Sequence, residues 1–136
     1  MLLVQDLGLD IDFENLKLII IIGTGSFIGG VFRYLLSLLI QAKTVSFFPF
    51  HTLIVNILGC FFIGIVLGIF DKGEISQELK LFFATGVLGG FTTFSAFSSE
   101  TLIMFRNGHL TYALIYIFAS IILGLLATYL AYLLVK

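Results

Sequence analysis

The sequence predicts an all-α fold: a four-transmembrane-helix membrane protein with a broken third helix, able to pair as two copies in opposite orientations. Three observations lead there. Of 136 residues, 60% are hydrophobic and 11% charged, where a soluble domain carries roughly 25% charged residues. The charges are also segregated: residues 44–70, 81–99 and 107–135 contain none, and residues 18–42 contain Arg33 alone. Each run is close to the roughly 20 apolar residues that cross a bilayer. Finally, the third run interrupts itself with GGFTTFSAFSSE at 89–100, and glycine, threonine and serine are poor material for a helix interior.

The elements follow in order. Residues 1–16 carry Asp6, Asp10, Asp12 and Glu14 and no base. A secretory signal needs a positive stretch before its apolar run, so this is expected to be an acidic leader outside the membrane. The membrane domain then occupies 17–136, with helix 1 expected at about 17–41. Loop 42–50 holds the sole proline, Pro49, ahead of helix 2 at about 51–70. The turn DKGEISQE at 71–78 precedes helix 3 at about 79–105, and RNGH at 106–109 precedes helix 4 at about 110–135. Loops this short specify one compact bundle.

Four spans place Lys17, Lys72, Lys80 and Lys136 on one side and Lys43 and Arg106 on the other, with Arg33 added if it snorkels that way. Only lysine and arginine count in setting topology, and this bias is weak. Insertion in both orientations follows, which lets opposite copies pair.

Several function classes drop out. A net charge of −1 with no basic patch excludes a nucleic-acid partner. Cys60 is alone, so it forms no intrachain disulfide or thiolate metal site; a small residue in a helix contact is its expected role. His51 and His109 have no second ligand at a useful spacing, and no phosphate-binding loop or activated nucleophile suggests an enzyme.

Polar and small residues recur at intervals of four, the spacing of one helix face. Helix 1 gives Gly25, Gly29, Arg33 and Ser37; helix 2 gives Thr52, Asn56, Cys60, Gly64 and Gly68; helix 4 gives Tyr112, Tyr116, Ser120, Gly124, Thr128 and Tyr132. The glycines read as packing seams, because small residues let membrane helices approach closely. Asn56 and Arg33 ask for more: a polar or charged group in hydrocarbon needs a partner or a water-filled path. Glu100 is the sole acid within the expected spans, and a counter-ion role toward Arg106 or Arg33 is expected of it.

In the third span, Gly89 and Gly90 weaken the helix while Thr92 and Thr93 compete for its backbone hydrogen bonds. The break they mark frees carbonyls able to coordinate a cation. Beyond it Phe94 and Phe97 share a face, with Ser95 and Ser98 in a neighbouring row. A phenyl ring is positive at its edge, so ring edges can solvate a small anion alongside hydroxyl and amide donors.

GGFTTFSAFSSE resembles the signature of the Fluc (CrcB) fluoride-channel family. HTLIVNILGCFFIG at 51–64 is similar to that family's second-helix motif, and GTGSFIGGVFRY at 23–34 to its first-helix motif. The three motifs stand in the family's order on the matching helices, and the resemblance spans nearly everything after the leader. It implies a channel, not an enzyme, that passively exports cytoplasmic fluoride as an antiparallel dimer in the cell membrane, surrounded by lipid. By position, Asn56, Phe94 and Phe97 match the fluoride path, and Arg33 matches the vestibule arginine. The carbonyls of Gly89 and Thr92 match those that hold a structural Na+ at the dimer centre. Thr52, Ser95, Tyr116 and Ser120 fall where the polar lining is expected. The chain departs from the pattern at Ala96, where threonine is common, at His51, where glycine is common, and at Ser26 and Gly30, small positions of the first motif.

Two other readings stand beside this one. A small dual-topology drug/proton antiporter also has four short helices, but it calls for a carboxylate in helix 1, and residues 17–41 hold none. A scaffold without transport, or one subunit of an obligate heterodimer, is the third.

Overall fold

A computed structural model describes residues 12–136. Helix α1 spans Phe13–Lys43 and α2 spans Phe50–Asp71. The third span is composite. α3 occupies 77–91: an opening turn at Gln77–Lys80, a π-helical stretch Leu81–Leu88, and a last turn Gly89–Phe91. α4 is Phe94–Arg106 and α5 is Leu110–Val135. Taking Gln77–Arg106 as one rod, four helices are long and apolar enough to cross a membrane. The chain is a multi-pass membrane protein.

The helix ends agree with the sequence expectation to within a few residues. α1 begins early, at Phe13, because Asp12 caps it by accepting the Asn15 N–H at 2.8 Å. The last residues of the expected leader therefore enter the helix, while residues 1–11 lie outside the described part of the chain. Gly73 and Gly108, with φ of 74° and 76°, close the turns after α2 and α4; this left-handed region is where glycine ends helices without steric cost.

Glycine seams hold the helices together. A Cβ on Gly29 would fall 1.9 Å from the Val87 carbonyl oxygen, and one on Gly90 would fall 2.3 Å from that of Ser26. α1 and α3 thus pack backbone to backbone. α2 meets α5 the same way, since a Cβ on Gly64 would lie 2.2 Å from the Thr128 carbonyl oxygen. Membrane helices gain little from apolar burial against one another, so close van der Waals approach carries the association. Cys60 belongs to this second seam. Its carbonyl accepts the Thr128 hydroxyl at 3.0 Å, and a Cβ on Gly124 would lie 3.3 Å from its sulfur.

The break falls at the threonines and not at the glycines. Gly89 keeps helical angles, φ −64° and ψ −37°. Thr92 and Thr93 are extended, at −83°, 155° and −148°, 118°. Thr92 ends α3 by returning both its N–H and its hydroxyl to the Leu88 carbonyl, each at 2.9 Å. Thr93 starts α4 as its N-cap, accepting the Ala96 N–H at 3.3 Å. The π-helical turns before the break had no separate sequence signal; such segments often accompany functional sites.

Candidate functional site at the helix break

In an unbroken helix the Thr93 N–H would bond the Gly89 carbonyl and the Ala96 N–H would bond that of Thr92. Both donors are diverted. Thr93 N–H donates to Asn56 Oδ1 at 2.8 Å, and Ala96 N–H donates to Thr93 Oγ1. Gly89 and Thr92 are therefore among the carbonyls that the break leaves without helical donors. The neighbouring Gly90 carbonyl is reached from α1 by Arg33 Nε at 3.3 Å. Arg33 braces the break, and that contact places its charge inside the bundle.

Asn56 makes a paired contact with Thr93, because its Nδ2 also donates to the Thr93 carbonyl at 3.1 Å. The backbone partners fix which way the amide points: an N–H can only donate and a carbonyl can only accept. One Nδ2 hydrogen is thereby used, and the second has no partner among the described residues.

That second hydrogen belongs to a side chain lining an open cavity of about 270 Å³, together with Thr92, Thr93, Phe94, Phe97 and Ser120. Ser120 Oγ is buried and is the one buried side-chain oxygen or nitrogen without a hydrogen-bond partner among the described residues. The rings of Phe94 and Phe97 are 5.4 Å apart at 42°, and Phe97 continues to Tyr116 at 5.2 Å. The cavity therefore combines unsatisfied donors from α2 and α5 with two phenyl rings from α4. Phe94 is 78% exposed on the single chain, and Gly89 is also exposed.

A second cavity of about 180 Å³ adjoins through Thr93 and is lined by Arg33, Gln41, His51, Thr52, Ala96 and Glu100. A third, of about 300 Å³, shares Gln41 and His51 with the second and opens among Thr44, Ser46 and Phe48 of the loop. The three spaces thus lie in sequence from the loop side to the paired phenylalanines, sharing wall residues.

The expected polar residues divide over these spaces. Asn56, Phe94, Phe97 and Ser120 come together at the break, and Thr92 joins them. Thr52 is buried, and its hydroxyl donates to Glu100 Oε1 at 2.6 Å. Tyr116 is fully buried and donates to Glu100 Oε2 at 2.7 Å. Ser95 stays apart, exposed, with its hydroxyl 3.2 Å from that of Thr93. Glu100 corrects the expectation of an arginine counter-ion: Thr52, Tyr116 and His51 hold it, the last at 3.2 Å. The Glu100 cluster was missed as a unit because its members come from three separate helices. The spacing of Phe97 and Glu100, three residues apart on one helix, was the available signal.

Comparison with known proteins shows the family of the chain. A family model described as "CrcB-like protein, Camphor Resistance (CrcB)" matches residues 20–132. The chain is 43% identical over 122 residues to a fluoride-specific ion channel of Azobacteroides pseudotrichonymphae, covering 89% of this chain and 98% of that protein. It is 44% identical over 113 residues to one of Thermus thermophilus, covering 83% and 90%. A Flavobacterium psychrophilum protein of the same name is 41% identical over 115 residues, covering 84% and 93%. With its three motifs on the matching helices and the family model covering its whole membrane bundle from α1 into α5, the chain belongs to the CrcB-like family.

Proposed function

We propose that this protein is a fluoride-selective ion channel that lets cytoplasmic fluoride leave the cell down its electrochemical gradient. The observation that carries the reading is the cavity at the break. It holds two unfilled donors, the second Asn56 N–H and the Ser120 hydroxyl, beside the rings of Phe94 and Phe97. Fluoride is small and keeps its water tightly. A selective pore must replace that shell with enough close donors, yet hold the ion weakly enough for release to a neighbouring site. Amide and hydroxyl donors with positive ring edges meet the first need. The chained cavities meet the second. The relatives' name as fluoride-specific channels supports the choice of ion. Neutral HF enters cells from acidic surroundings and ionises inside, so a leak for the anion alone is protective.

The working unit in this reading is two copies in opposite orientations. The weak charge bias supports it, as does the exposure of Phe94 and Gly89 on the single chain. The Gly89 and Thr92 carbonyls have their helical donors engaged elsewhere. Neutral oxygen donors of this kind suit a hard monovalent cation, and these two carbonyls would hold a structural Na+. Bound there, the ion supplies a fixed positive charge; Arg33 and Asn56 meanwhile hold the surrounding backbone open.

The test is efflux from liposomes containing this chain alone, comparing fluoride, chloride and a cationic dye. Fluoride efflux that far exceeds chloride efflux, and falls sharply in Phe94→Ile and Phe97→Ile, is expected. Unchanged fluoride flux in both variants would refute the ring-edge role. Dye movement coupled to protons would favour the antiporter, and transport only after adding a second homologue would favour a heterodimer.

A further inference from the structure

We infer that His51 is a proton-sensitive positioning residue for the Glu100 carboxylate, so that anion entry through the linked cavities rises with acidity. The inference rests on the channel reading above and adds a regulated step to it. His51 lies in the first turn of α2 and lines both the loop-side cavity and the inner one. An ion moving between those spaces passes its imidazole.

The ring is tied to a carboxylate. His51 Nε2 lies 3.2 Å from Glu100 Oε1, which already accepts the Thr52 hydroxyl at 2.6 Å. Glu100 Oε2 accepts the Tyr116 hydroxyl at 2.7 Å. The Thr52 and Tyr116 hydroxyls are the hydrogen-bond donors to the carboxylate, and the His51 ring stands beside it at ion-pair distance. Protonation of that ring therefore adds a charge next to Glu100 without displacing either hydroxyl.

The other charged and titratable groups facing the pair come from three helices. From α1 come Arg33, anchored on the Gly90 carbonyl, and the Tyr34 phenol. From α4 comes Glu100 itself, and from α5 the Tyr116 phenol. The loop-side cavity contributes Gln41, Thr44 and Ser46 and no further charge. With neutral His51 the charges of Arg33 and Glu100 cancel. With protonated His51 the inner cavity carries a net positive charge, and a cleft of one sign concentrates the opposite ion.

The experiment is fluoride efflux from liposomes holding the full chain at about pH 5.5 and about pH 8, where histidine changes charge. Protein-free liposomes correct for neutral HF. Wild-type flux is expected to be about threefold or more higher at the acidic pH, and His51→Gln is expected to flatten that ratio to about one. His109→Gln, at the other histidine, is expected to keep it. A second readout does not depend on flux: ring-labelled histidine NMR of the detergent-solubilised chain, in which Glu100→Gln shifts the His51 ring signals and leaves those of His109 in place. A wild-type pH ratio retained by His51→Gln, or His51 ring signals unmoved by Glu100→Gln, overturns the inference. Absence of fluoride flux at every pH would instead defeat the channel reading, and the NMR comparison still decides the His51–Glu100 contact.

Discussion

Asn56→Asp is the most informative single change, because it keeps the shape of the side chain and removes both Nδ2 hydrogens. The bond to the Thr93 carbonyl, 3.1 Å in the wild type, is lost and a carboxylate oxygen faces that carbonyl instead, at a cost of about 1–3 kcal/mol. The bond from Asn56 Oδ1 to the Thr93 N–H, 2.8 Å, survives. Thr93 therefore retains one of its two tethers and the break keeps its form. The ion fares worse. A hydrogen bond to a charged group contributes about 1.5–3 kcal/mol, or about 10- to 100-fold in occupancy at 1.4 kcal/mol per tenfold. A carboxylate facing an anion adds repulsion. Fluoride efflux should fall by about 100-fold or more. The assay is an ion-selective electrode on reconstituted liposomes, with thermal melting in detergent to establish that the variant folds. Asn56→Ala is the contrasting variant: it strands both Thr93 groups, each at about 1–3 kcal/mol, so it should melt earlier than Asn56→Asp. A folded Asn56→Asp variant that passes fluoride within about threefold of wild type would mean the amide does not face the ion.

Three further outcomes follow from the packing and the break. Gly29→Ala should destabilise by about 1–3 kcal/mol or more, since its Cβ would meet the Val87 backbone at 1.9 Å, whereas Gly30→Ala, with nothing within 4 Å, should be neutral or gain about 0.5–1 kcal/mol from helix propensity; paired thermal melts separate the two. Tyr116→Phe keeps the ring beside Phe97 but strips a donor from Glu100 Oε2, and should lower stability by about 1.5–3 kcal/mol in the same assay. Replacing sodium with a bulky organic cation should lower the melting temperature and weaken dimerisation. The dependence on sodium should follow mass action, with about 2.7 kcal/mol of stabilisation at a hundred times the dissociation constant.

The spans were legible because bilayer thickness fixes helix length, and charge-free runs report it directly. The seams were legible too, since glycines four apart mark one face whatever they pack against. The break was located by composition but not resolved by it. Glycines and threonines together looked like its cause, yet Gly90 serves the close approach to Ser26 and the threonines alone end the helix. That distinction needs the neighbouring helix, because a weak helix former becomes a break only when another group takes up its backbone bonds. Asn56 takes up those of Thr93 from a position 37 residues away. For the same reason the partners of Glu100 were hidden: Thr52 and Tyr116 approach from 48 and 16 residues away, and helix spacing reports neighbours only within one helix.

Two departures from the family pattern, His51 and Ala96, line the same inner cavity. Ala96 removes a hydroxyl from the α4 wall of that space, and His51 adds an imidazole from the α2 wall. Polar groups in hydrocarbon persist when they face one another or a water-filled path, and at Glu100 they face one another. The cavity thus keeps a polar lining with its donors redistributed between helices. The site at the break is untouched by the exchange, because Ala96 contributes only its backbone N–H there, to Thr93 Oγ1. Ion recognition at Asn56, Phe94 and Phe97 and ion access past His51 are therefore separable by mutation. A Thr side chain restored at position 96 should change access through the inner cavity while leaving the preference for fluoride over chloride intact.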